Sequence, residues 1–103
     1  MNNELSTLCL CRRASKLFIG FDAAAEEIRK KTAGGVILAS DVSPKTEKEI
    51  LFHARESGIQ VLKAVFDMDA AKHAIGKRAG VFFVADEGLF GSIKNQLQKH
   101  TTI

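Results

Sequence analysis

Lys16–Pro44, KLFIGFDAAAEEIRKKTAGGVILASDVSP, decides the fold. Leu17–Ile19 is a short apolar strand, and Gly20 breaks it. Phe21, Ala24, Ala25 and Ile28 then recur at spacings of three and four, the period of a helix with one buried face. Asp22, Glu26, Arg29 and Lys30 fall away from that face, and the alanines keep the helix thin enough to pack closely on a sheet. Lys30-Lys31 and then Ala33-Gly34-Gly35 mark its end. Val36–Ala39 is apolar without alternation, as in a strand covered on both faces. Strand, helix and strand read as a βαβ crossover. The helix N-terminus just after Gly20 is suited to hold a phosphate or the edge of a base.

Before this stretch, Asn3 to Arg13 reads as a helix capped by Asn3, with Leu5, Leu8 and Cys9 as its apolar stripe. Arg12, Arg13 and Lys16 cluster at its end. They suit a helix C-terminus and equally a phosphate-facing role. After it, Ser43 caps a third helix with Pro44 at its first position. Glu47, Ile50, Leu51 and Ala54 form the inner stripe of that helix, Gly58 ends it, and Phe52 falls on the opposite side near His53. Ile59–Val65 is rich in β-branched residues and reads as a strand. Asp67 caps a short helix with Ala71, Ala74 and Ile75 inward and Gly76 closing it. The loop Gly76-Lys77-Arg78-Ala79-Gly80 leads to a strand at Val81–Ala85. Asp86 caps a last helix carrying Leu89, Phe90, Ile93 and Leu97, and the tail His100–Ile103 is expected to fray. The order αβαβαβαβα predicts about four strands between two helical layers, in one domain without repeats.

Length and composition agree with that reading. A chain of 103 residues with 46% hydrophobic and 26% charged residues is a small globular domain. Seven Phe with no Trp or Tyr leave only Phe and His for stacking on bases. Net charge +3 permits a polyanionic partner without requiring one. No apolar run reaches the ~20 residues that span a membrane, and MNNELST lacks the profile of a signal peptide. Cys9 and Cys11 point roughly 200° apart around a helix, which suits neither a disulfide nor shared metal ligation. They read as reduced thiols of a cytoplasmic protein, at least one of them in the core.

Enzymatic motifs are not found. The loop at Gly76–Gly80 lacks P-loop spacing, and Ala33-Gly34-Gly35 precedes a strand, the wrong order for a dinucleotide fingerprint. His53, His73 and His100 are scattered, with no metal-ligand spacing to the cysteines. Asp41 ends a strand, where its expected role is a local backbone acceptor in the turn. What remains is a surface: the corner Gly20–Asp22, the turn Ser43-Pro44 and the loop Gly76–Gly80 are expected at one end of the sheet. Gly20 would admit a ligand backbone, and Lys77 with Arg78 would supply cationic charge for phosphate.

Leu8 to Ile93 resembles the bacterial YlxQ-like branch of the L-seven-Ae ribosomal protein family, which binds kink-turn RNA. The matching pieces are Arg13-Ala14-Ser15-Lys16-Leu17, Gly20, Ile28, Val36-Ile37-Leu38-Ala39-Ser40-Asp41-Val42-Ser43, Thr46, Lys48, His73-Ala74-Ile75-Gly76-Lys77 and Asp86-Glu87-Gly88. The resemblance implies a three-layer α/β/α sandwich with a mixed four-stranded sheet. It implies a non-enzymatic protein without cofactor or metal, whose partners are structured RNA (ribosomal RNA or another kink-turn-like RNA) and the ribosome. Its RNA face maps to Gly20, Phe21, Asp22, Ala23, Glu26, Ser43, Lys77 and Arg78. The family's base-reading pattern is Gly, any residue, Asn, Glu, then Lys three further on. Asp22 keeps an acceptor but loses the amide donor, Ala23 has no polar side-chain atom, and Glu26 reverses a charge. These replacements predict binding by shape and phosphate contacts instead of the full base-reading set. A second reading keeps the fold as a protein-interaction module that has given up RNA, with Ala23, Glu26 and an exposed Phe52 as its motive.

Overall fold

The computed structural model describes residues 3–101. Its elements are α1 (Asn3–Arg13), β1 (Leu17–Ile19), α2 (Phe21–Arg29), β2 (Gly35–Leu38), α3 (Pro44–Ser57), β3 (Gln60–Lys63), α4 (Met68–Ile75), β4 (Val81–Val84) and α5 (Glu87–Thr101). The order and type of every element match the sequence reading. Residues 100 and 101, expected to fray, are helical; residues 102 and 103 lie outside the described residues, as does the side chain of Asn3 and with it the proposed cap.

The strands form one mixed sheet in the order β1-β4-β2-β3. β1 and β2, the strands of the expected βαβ crossover, are not neighbours. The two are parallel, but β4 lies between them and is antiparallel to both, with Phe83 opposite Phe18 on one side and Val36 on the other. The crossover between neighbouring parallel strands is β2-α3-β3, with Val36 opposite Val61. The reason lies in α4. Eight residues of helix advance only ~12 Å, and the five-residue loop after it brings the chain back to where α4 began. β4 therefore enters from the end at which the other three strands finish.

Alternation along the strands divides the core in two. Leu17, Ile19, Ile37, Leu62, Phe82 and Val84 face the layer of α1, α4 and α5, where Leu8, Cys11, Ala71, Phe90 and Ile93 are buried. Phe18, Val36, Leu38, Val61, Val81 and Phe83 face α2 and α3 and pack on Ala24, Ile28 and Ile50. The outcome is a three-layer α/β/α sandwich, with β2 and β4 buried along their whole length. β3 is shorter than Ile59–Val65: Val65 turns out to solvent while Phe66 turns in.

Two local features depart from the sequence reading. The stop signal of α2 is Lys31 in a left-handed conformation (φ 56°), with Thr32 N–H donating to the Glu27 carbonyl at 3.1 Å. Gly34 does different work: a Cβ there would lie 1.8 Å from the Val84 carbonyl oxygen, so the glycine lets the chain enter β2 against β4. Glu27, on the same helix, is buried and accepts from Thr32 Oγ1 at 2.8 Å. No helix of the described residues is long and apolar enough to cross a membrane.

Candidate functional site

β1, β2 and β3 all end, and β4 begins, at one edge of the sheet. Main-chain hydrogen bonds tie the connections there together. Gly20 N–H donates to the Val81 carbonyl at 2.8 Å, Ala39 N–H to the Gly80 carbonyl at 2.9 Å, and Ser40 N–H to the Phe66 carbonyl at 2.8 Å. A groove of about 340 Å³ opens on this edge. Gly20 and Phe21 form one wall, Val42, Ser43 and Thr46 a second, and Arg78, Ala79 and Gly80 a third, with Met68 between them. Gly80 permits this closeness, since a Cβ there would lie 3.0 Å from Val42 Cγ2 and 3.2 Å from Met68 Sδ.

Three helices start at this edge, and each N-terminus carries the equivalent of roughly half a positive charge. Two are closed by side chains. Ser43 Oγ accepts from Thr46 N–H at 3.2 Å, at the head of α3. At the head of α4, Asp67 Oδ1 accepts from Ala70 N–H at 2.8 Å and Asp41 Oδ1 from Met68 N–H at 2.9 Å. Asp41 was expected to serve its own turn; it instead fastens the β2–α3 turn to a helix 27 positions away. The N-terminus of α2 stays open, because its cap residue is Gly20 (φ 102°, ψ 163°) and no side chain closes it. First-turn amides of a helix have no intrahelical acceptor, so this is where an anion finds donors.

Of the residues expected at the site, Gly20, Phe21, Ser43 and Arg78 line the groove. Asp22, Ala23 and Glu26 follow along α2; Glu26 is ion-paired with Arg29 and lies 3.9 Å from Lys30 Nζ. Lys77 is exposed beside Arg78. The side-chain charge at this edge is mixed. Arg78 Nε donates to Asp69 Oδ1 at 3.1 Å, and Asp22, Asp41 and Asp67 add three more carboxylates. Arg78 thus shares its charge with Asp69, while Lys77, Lys45 in the first turn of α3 and the open end of α2 add positive charge. The sequence reading placed the loop ending at Gly80 here but missed Asp41 and Met68 as builders of the site; their signal is contact across the chain, which periodicity does not carry. Thr46 had appeared only as a piece of the family match.

Phe52 is not isolated. Its ring stands edge-on to His53 at 5.7 Å, and His53 stands edge-on to Phe21 of the groove wall at 6.4 Å. Cys11 is buried, and desolvation, aided by the Asp86 carboxylate, pushes its thiol up to about 11. Such a thiol is protonated at neutral pH and a poor nucleophile. Among the described residues no group of three or more His, Cys, Asp or Glu could hold a metal ion.

Residues 4–89 match the model of the ribosomal protein L7Ae/L30e/S12e/Gadd45 family. No curated protein matches the chain. Among solved structures, a Bacillus halodurans protein of unknown function superposes with a TM-score of 0.86 at 27% identity, over 95% of this chain and 99% of that one. The Giardia lamblia 15.5kD RNA binding protein superposes with a TM-score of 0.71 at 17% identity, over 96% of this chain and 89% of that one. The second likeness is one of fold.

Proposed function

The chain belongs to the ribosomal protein L7Ae/L30e/S12e/Gadd45 family, and from that premise we propose that it is a small non-enzymatic protein that binds structured RNA through the groove at the head of α2. The observation that carries the reading is the shared groove itself. A glycine corner without a side chain, an uncapped helix N-terminus and a loop bearing Lys77 and Arg78 stand around one opening. Phosphate oxygens would take the α2 amides and Lys77, and Gly20 would let the RNA backbone approach closely.

Base reading is reduced. Asp22 offers only acceptors, Ala23 offers nothing, and Glu26 is occupied by Arg29 and Lys30. Each bidentate base contact forgone costs on the order of 1–3 kcal/mol of discrimination, by analogy with groove readout of DNA. The protein would therefore favour a bent RNA by shape and phosphate position, with ribosomal RNA or another kink-turn-like RNA as partner and the cytoplasm as its compartment. We read the whole chain as this one domain, of the YlxQ-like type. A filter-binding titration against a kink-turn RNA and an unbent duplex, each at two salt concentrations, tests the reading. Preference for the bent RNA is expected; equal and negligible binding to both would defeat it.

The aspartates of the edge and the exposure of Phe52, at 61%, favour a second reading as a protein-interaction module. Partners recovered from ribonuclease-treated lysate would support it. Loss of every partner on that treatment would remove it.

A further inference from the structure

Arg12 and Arg13 end α1, and both are exposed. Together with Cys9, Ala74 and Ile75 they line a second cavity, of about 390 Å³, between α1 and α4. Arg12 reaches across it: Nη1 lies 3.4 Å from the point where a Cβ on Gly76 would stand. Lys77 follows Gly76, and Arg78 is already a wall of the groove. Four residue steps from Gly76 to Gly80 span at most about 14 Å, so cavity and groove occupy the two ends of one short loop.

Cations without a carboxylate within 4 Å occur elsewhere too, Lys48 and Arg55 among them, but here two of them line one cavity. Arg29, Lys30, Lys63 and Arg78 each have a carboxylate within 4 Å. Among the described residues Arg12, Arg13 and Lys77 have none, and no carboxylate lines the cavity. Attraction to the C-terminal dipoles of α1 and α4 accounts for cations at these positions, but not for a cleft formed between two of them. Guanidinium groups present fixed forks that match phosphate oxygens two at a time.

We propose that Arg12, Arg13 and Lys77 form a phosphate-binding strip, which carries the RNA backbone from the groove along the seam between α1 and the α4–β4 loop. The proposal rests on the reading of the groove as an RNA site. The strip contacts backbone only, so it adds affinity without choosing sequence.

The probe is the same kink-turn RNA, titrated at about 50 and 200 mM salt. Each phosphate contact adds roughly 0.9 to the steepness of log K against log salt. Arg12→Gln with Arg13→Gln is therefore expected to lower the steepness by about 2, so that the ratio of parent to variant affinity shrinks about tenfold between the two salts. Arg12→Gln alone should lower it by about 1; Lys77 also serves the groove, so its replacement does not separate the two. A control, Lys48→Gln with Arg55→Gln, removes equal charge from the outer face of α3 and should leave the steepness nearly unchanged. Thermal melts identify variants that fail to fold, and Arg12→Gln alone keeps the test open if the double arginine variant does. An unchanged steepness in the strip variants, or an equal fall in the control, overturns the strip while leaving the groove standing. Absence of RNA binding by the parent chain removes both, and capture of an acidic protein in place of RNA overturns the strip as an RNA surface.

Discussion

Replacing Gly20 by Ala separates backbone strain from crowding. The residue sits at φ 102° and ψ 163°, a region that is essentially glycine-only, where a side chain costs about 1–3 kcal/mol. A Cβ there would meet nothing within 4 Å, so no clash adds to this. Alanine also lowers the entropy of the unfolded chain, which returns about 0.4–1 kcal/mol. The net expectation is a loss of about 1–2 kcal/mol, or a melting temperature lower by roughly 5–15 °C for a domain of this size. Equilibrium urea unfolding reads it directly, as a midpoint lower by about 1 M at a typical slope. Gly34→Ala is the comparison. Its φ of 134° is also unfavourable, and its Cβ would lie 1.8 Å from a main-chain oxygen of β4 that cannot rotate away. That substitution should cost at least twice as much, or prevent folding. If Gly20→Ala is neutral, the corner is not held as described; if it costs as much as Gly34→Ala, the space beside Gly20 is not open. The folded Gly20→Ala protein should also bind RNA more weakly, because the new methyl stands where the ligand backbone would approach.

Three further outcomes follow from particular contacts. Asp41→Ala removes the carboxylate that accepts from Met68 N–H; a loss of about 1–2 kcal/mol is expected, with faster amide exchange at Met68 and Ala70, measured by exchange-detected NMR. Asp69→Asn releases Arg78 from its exposed ion pair; stability should change by less than about 1 kcal/mol, while affinity for RNA rises with a steeper salt dependence in the filter assay. Burial raises the Cys11 thiol from its ordinary 9.0 to about 11, so the unfolded chain loses its proton first. Stability is then full below pH 9 and declines as pH rises from 9 towards 11, and Cys11→Ser should flatten that limb of the unfolding curve. At neutral pH a thiol reagent should modify Cys9 well before Cys11.

Much of this architecture is legible along the chain because its signals are local. Ser43 before Pro44, Asp67 before an alanine stripe and Asp86 before Leu89 announce helix starts through chemistry confined to four residues, and all three caps form. Strand order is different in kind. Leu17–Ile19 and Gly35–Leu38 flank one helix and read as one crossover, yet the fully buried strand Val81–Val84 lies between them. Nothing within either stretch encodes that insertion; it depends on a strand that arrives after α4, far along the chain. The meeting of Gly20 and Ser43 on one edge was readable from the αβ order, since parallel strands finish together; Arg78 joins them only because β4 runs antiparallel, so that the loop before it opens on the same edge. The charge there was not readable, because counting lysines does not reveal that Asp69 holds Arg78 or that Asp41 and Asp67 are spent on the head of α4. Glu27 was likewise hidden: its place on α2 says polar, and only the Thr32 contact explains its burial.

The links from Gly20 to Val81, from Ala39 to Gly80 and from Ser40 to Phe66 run through peptide groups alone. Side chains at Asp22, Ala23 and Glu26 can consequently be exchanged without loosening the mount on which they stand. A lineage carrying this scaffold is free to rewrite what it recognises, one substitution at a time, without ever passing through a misshapen intermediate.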